Sequence, residues 1–147
     1  MVFQLLTALL LCARPAGAAA PGPAPDRPLA VVAGADFPAA KLTVAQARRI
    51  YLGKMLFIKE VRLKPMEPKD DALKAVFLAR LMNMTSQKFK LHWLSNLFRE
   101  GLEPPESVSP AQLLSALRED PGRLGFMWLE DARSESGLRI LLVVGTP

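Results

Sequence analysis

Residues 29–32, Leu29-Ala30-Val31-Val32, form an apolar run with no polar partner to alternate with. Such a run, too short for a helix, reads as a strand buried inside a domain. It stands directly behind residues 21–28 (PGPAPDRP), a proline-dense stretch that can join neither a helix nor a central strand. Folding therefore starts at residue 29, with residues 21–28 as an extended linker. Two further apolar runs, residues 124–129 and 138–144, read as strands near the other end of the chain, joined by the polar stretch DARSESG. Residues 55–58 and 61–66 read as two short strands or one bent one, split by Lys59-Glu60, with Pro65 and Pro68 marking the exit.

Between these strands the sequence writes four helices with starts and stops. Thr43 caps the first, Gln46 three places on completes a capping box, and Val44, Ala47, Ile50 and Tyr51 recur at helical spacing. Asp70 or Asp71 caps the second, whose face is Leu73, Val76, Phe77, Leu81 and Met84. Thr85-Ser86 opens the third, with Phe89, Trp93 and Leu97 as its core face and Gly101 as its end. Ser109-Pro110 starts the fourth, with Gln112 completing a second capping box and Pro121-Gly122 stopping it. Strands at both ends with helices between them make an α/β or α+β domain. The chain has 147 residues, enough for one domain with a sizeable core.

The stretch RRIYLGK ends in Gly-Lys and invites a phosphate-loop reading. That loop needs a glycine where Arg48 stands and a Ser or Thr where Met55 stands, and it precedes a helix rather than ending one. Gly53 is a helix stop.

Residues 1–20 read as a cleaved export signal: an apolar run at 5–11, then Ala16-Gly17-Ala18 and Ala18-Ala19-Ala20 in the pattern a signal peptidase cuts. No apolar stretch is long enough to span a bilayer, so no stable membrane insertion is expected after cleavage. The lone cysteine, Cys12, falls inside that segment, which leaves residues 29–147 without thiol or disulfide chemistry. The formal net charge is +5, which suits an anionic partner, but the cations are dispersed among acids.

Catalytic groupings are scarce. His92 is the single histidine and sits on the third helix beside Trp93, as a boundary residue. With no cysteine beside it, a His-Cys nucleophile pair is excluded, and no zinc cluster, other metal or cofactor is expected. Asp70-Asp71 and Glu130-Asp131 fall at element ends, where capping and turns explain them. The basic-aromatic helix SQKFKLHWLSNLFREG turns its aromatics to the core and not to a nucleic acid. The chain reads as a non-enzyme.

Three segments in order carry a likeness: LAVVAGADFPAAKLTVAQARRIYLGK, KLHWLSNLFREGLEPPES and LLSALREDPGRLGFMWL. Together they resemble the periplasmic phosphate-binding proteins of ABC transporters, specifically short, single-lobe relatives. The resemblance implies an α/β fold, a single lobe of the type 2 periplasmic-binding-protein fold, with a small mixed sheet flanked by about four helices. It also implies a periplasmic or secreted location, a membrane transporter as partner, and phosphate or a similar oxyanion as ligand.

Where full-length members of that family carry a Ser-Gly-Thr turn with an Arg nearby, this chain reads Glu67-Pro68-Lys69-Asp70-Asp71. The candidate ligand-binding residues are accordingly Gly34, Ala35 and Asp36 in the first loop, and Lys69, Asp70 and Asp71 at the second helix start, where backbone N–H groups favour anions. A lone lobe cannot close around a ligand, so any such site is open and weak. The alternative is a degenerate binding lobe that serves as a protein-interaction or sensory module in the cell envelope, without a small ligand. An exposed apolar patch where the second lobe would have docked would favour this alternative.

Overall fold

The computed structural model describes residues 26–145. The expected export signal, residues 1–20, and residues 21–25 of the linker lie outside them. Strand β1 (Leu29–Gly34) is buried along its whole length. Helix α1 (Val44–Tyr51) follows, started by the Thr43–Gln46 capping box. Two residues each of β2 (Phe57–Ile58) and β3 (Val61–Arg62) make a separate small hairpin, and β4 (Lys64–Pro68) enters the main sheet. Helix α2 (Asp71–Val76) runs directly into a π-helical turn (Phe77–Met82), then α3 (Ser86–Glu100) follows. The remaining elements are β5 (Glu106–Val108), α4 (Pro110–Glu119), β6 (Arg123–Trp128), α5 (Leu129–Ser134) and β7 (Leu138–Val144).

The main sheet has five strands in the order β5-β4-β6-β1-β7. β4 is parallel to β5 and β6, whereas β1 is antiparallel to both β6 and β7. Only β1 therefore runs against the rest, and the sheet is mixed. Both faces are covered, which explains the unbroken apolar run of β1. Leu29, Val31 and Ala33 face a core built with residues of α1, α2, the π-helical turn and α3, while Ala30 and Val32 face a second core built with α4 and α5. At the centre of the larger core Phe77 stacks on Phe126 with ring centroids 3.9 Å apart, and Tyr51 meets both rings edge-on.

Several details depart from the sequence reading. DARSESG is not a plain connection, because its first four residues belong to α5, held by the burial of Leu129 and Ala132. The second helix does not keep one pitch: its second half widens to a π-helix, which buries Phe77, Leu78, Leu81 and Met82 together. Leu97 is exposed rather than core. Pro65 and Pro68 lie within β4 rather than beyond it. That strand bonds to β6 only over Lys64–Pro65 and to β5 only over Met66–Pro68, so its prolines sit where the ladder is incomplete. Gly53 has φ 71°, and a Cβ there would meet the Trp93 ring at 2.7 Å, as a helix stop against a packed aromatic requires.

Candidate functional site

The topology separates the two halves of the expected anion site. Ala33 is level with Leu124 and Pro65, and Leu29 is level with Trp128. Because β1 runs against β4, Gly34 leaves the sheet at one edge and Lys69 leaves it at the other, roughly 16 Å away along the strand direction. Gly34–Asp36 and Lys69–Asp71 thus do not converge on one ligand.

Each half also has a local structural role. A Cβ on Gly34 would stand 2.0 Å from the Leu117 carbonyl oxygen, so this glycine lets α4 lie against the end of β1. The loop beyond it is organised through its carbonyls: Arg139 donates to Ala35 O at 2.8 Å, Phe37 O at 2.9 Å and Ala39 O at 3.1 Å. Asp36 is exposed. At the opposite edge, the Asp70 carboxylate accepts from Leu73 N at 3.0 Å and so caps α2 itself. Lys69 and Asp71 are exposed, and α2 is a six-residue helix whose own aspartates occupy its positive end.

That second edge nevertheless carries an opening. β5, β4 and β6 point the same way, and α4, α2 and α5 start immediately beyond them. The helices after β4 pack on one face of the sheet and those after β5 and β6 on the other. A crevice opens where such connections diverge. Here it has a volume of about 250 Å³, with the apolar floor of Leu73, Leu113 and Met127. Its charged lining is Asp70, Asp131 and Glu135, without a cation. Arg118 pairs with Glu135 at 3.0 Å from outside that lining.

Beside it lies a longer groove of about 400 Å³ between β4, α2, α3 and the Pro104-Pro105 turn. Phe89 and Trp93 form its floor, and Leu94 and Leu97 one wall. At one end Glu67, 5% exposed and the only buried charged residue among those described, pairs with Lys74 at 2.7 Å. The Glu67 side chain of this pair is 7% exposed, while the Lys74 side chain keeps 37% exposure. A third opening, about 330 Å³, has Arg62, Lys64 and Arg123 on its wall. Lys64 is spent on Asp120 at 2.8 Å and Arg123 on Glu106 at 3.0 Å, while Arg62 lies over the Phe57 ring.

His92 has a packing role. With Asn96 it reaches the Leu52 carbonyl oxygen, at 2.8 Å and 3.2 Å, while the indole N–H of Trp93 donates to Tyr51 O at 3.2 Å. Three side chains of α3 thereby satisfy the last carbonyls of α1. No group of metal-ligating side chains occurs among the described residues, and no helix among them is long and apolar enough to cross a membrane.

The outer face of α3 carries a feature that residue spacing did not reveal. Leu91, Leu94, Leu97 and Phe98 are exposed by 56, 47, 43 and 81%. They form one apolar strip that continues into the groove through Leu94 and Leu97. The Glu67–Lys74 pair and the Arg139 loop clamp were also missed, since each joins residues whose proximity only the fold creates.

No protein-family profile matches the sequence, and no curated protein matches it. The fold does match solved structures. An ABC-type phosphate transport receptor from Vibrio cholerae superposes with a TM-score of 0.59 at 15% identity, over 78% of this chain and 45% of the receptor. A putative phosphate ABC transporter substrate-binding protein from Clostridium perfringens, solved with bound phosphate, gives 0.57 at 12% identity, over 78% of this chain and 44% of that one. The chain has the fold of a single lobe of these binding proteins and spans less than half their length.

Proposed function

We propose that this chain is a non-enzymatic, exported, solute-binding-like lobe that works in the cell envelope as a protein-interaction module. The observation that carries this reading is the apolar strip on α3, four large exposed side chains on one helix. Electrostatics at the strand ends point the same way. The charged lining of the crevice at the divergence point is carboxylate alone, and Asp70 already takes the Leu73 donor of α2. The apolar run and Ala-x-Ala pattern at residues 5–20 support export to the periplasm or beyond.

A second reading is weak binding of phosphate or a similar oxyanion, with delivery to a membrane transporter. It is favoured by the likeness to a protein solved with bound phosphate and by Lys69 at the end of β4. Calorimetric titration of the chain with phosphate and then sulfate at low salt separates the two. The interaction reading expects no saturable heat. Saturable heat with phosphate preferred, abolished by Lys69→Glu in a folded variant, overturns it and establishes the oxyanion site.

A further inference from the structure

We propose that the groove ending at Glu67 is a binding site for a small neutral molecule with an apolar body and a terminal hydroxyl. The inference goes beyond the interaction reading and does not depend on it.

Glu67 follows Met66 in β4, and Met66 belongs to the core on the α4 side of the sheet. Strand alternation turns the Glu67 carboxylate to the other face, toward α2 and α3. It is buried there, and Lys74 Nζ meets its Oε2 at 2.7 Å. Its Oε1 has no donor among the described residues. Every side-chain nitrogen or oxygen among those residues that is closed off from solvent has a partner. Oε1 is therefore open to solvent, and the surface it opens on is the groove that Glu67 lines. A carboxylate this deep, with one oxygen bare, is an acceptor awaiting a donor.

Packing does not require the pair. Apolar residues of similar volume in place of a buried ion pair are often as stable or more so, and Phe89 and Trp93 already make the floor. What the pair adds is an acceptor and a donor side by side. The Lys74 ammonium lies 5.8 Å from the centre of the Phe89 ring, and its side chain is open to the groove. Ser107, level with Glu67 in the β4–β5 register, lines the same groove. A hydroxyl answers both groups at once, donating to Glu67 and accepting from Lys74. A carboxylate head would face the bare oxygen of Glu67, and an ammonium head would face Lys74, each where solvent screening is weak. The rest of the groove, about 400 Å³ with a wall of Leu94 and Leu97, takes an apolar body.

Three probes that share a phenyl body test the head group on the full chain: benzyl alcohol, benzylammonium and phenylacetate. Trp93 and Trp128 are the only tryptophans, so two indole N–H signals in proton–nitrogen NMR spectra report the groove and a separate place. Benzyl alcohol should move the Trp93 signal saturably, with a Kd on the order of a few millimolar for so small a molecule, and leave Trp128 in place. Both ions should bind at least about fivefold more weakly. Glu67→Met removes the acceptor and lets Lys74 turn to solvent. It should weaken benzyl alcohol about tenfold with circular dichroism unchanged. No saturable shift of Trp93, an ion that binds as tightly as the alcohol, or a folded Glu67→Met chain that binds it equally overturns the proposal. If Glu67→Met does not fold, the comparison of head groups on the unaltered chain decides alone.

Discussion

Tyr51 is the sole tyrosine of the chain, which makes its ionisation directly visible as tyrosinate absorbance. Its hydroxyl is buried and donates to Met66 O at 3.0 Å, and its ring packs edge-on against Phe77 at 4.8 Å. Burial, and then the negative charge of Glu67, hold its pKa well above 10. Tyr51→Phe keeps the ring and its packing but removes one donor, leaving the Met66 carbonyl without it. That should cost about 1–2 kcal/mol at pH 7, or roughly 3–10 °C in Tm for a domain of this size. The alkaline limb supplies the sharper test. A pKa raised by folding contributes stability that is fully present below the unfolded value near 10 and is lost as pH rises toward the folded value, by about 1.4 kcal/mol per pH unit. The phenylalanine variant has no such loss, so its deficit should shrink above pH 10 and vanish near pH 11. Urea melts of both proteins from pH 7 to 11, read by tryptophan fluorescence, measure the difference. Absorbance at 295 nm should rise only with unfolding. A smooth rise centred near pH 10 in a protein whose circular dichroism is intact would refute the buried placement of this hydroxyl.

Two other positions separate structural from ligand roles. Gly34→Ala forces a Cβ to 2.0 Å from the Leu117 carbonyl, between two backbones that cannot both yield, and should cost about 3 kcal/mol or more in a urea melt; a stable variant would return Gly34 to the list of loop residues free for a ligand. The Asp120 carboxyl is held below its ordinary range chiefly by its hydrogen bond from Lys64, with smaller help from Gly122 N–H and Arg123. Its contribution is therefore present above the unfolded pKa and lost as pH falls through the lowered folded value. Asp120→Asn should melt slightly below the parent at pH 7 and equal to it near pH 2, and a gap that widens on acidification would contradict the pairing.

What the sequence revealed and what it hid have separable causes. Helix ends were legible because capping is local: Thr43–Gln46 and Ser109–Gln112 each form their capping box within four residues. β1 was legible because burial on both faces removes any polar alternation. β5 was not, since three residues behind two prolines make no pattern, and they become a strand only by bonding to β4. Leu97 misled because a spacing of four drifts from the true period of 3.6: Phe89 and Trp93 stay in the core, and the next step rotates into solvent. The two halves of the expected anion site were misjoined for a deeper reason. Nothing in residues 29–34 states the direction in which β1 runs, and that direction is fixed by pairing with β6 and β7, about a hundred residues away.

Direction also decides which end of the sheet gathers the helix N-termini. Parallel strands that end together gather helix N-termini at one edge, and their dipoles favour an anion only while that edge stays free of competing negative charge. This chain places Asp70 on the Leu73 backbone donor of α2, and Asp131 and Glu135 around the crevice beyond it. Three carboxylates within one opening of about 250 Å³ raise the electrostatic cost of admitting an oxyanion, and no lining cation offsets it. Of the cations on neighbouring segments, Lys74 is engaged with buried Glu67 and Arg118 with Glu135, while Lys69 and Arg133 are not part of the crevice lining. Among the described residues the exposed apolar side chains Leu91, Leu94, Leu97 and Phe98 cluster on α3, beside the groove rather than at the strand ends. A fold is shared through its packing, whereas function follows the side chains left outside that packing.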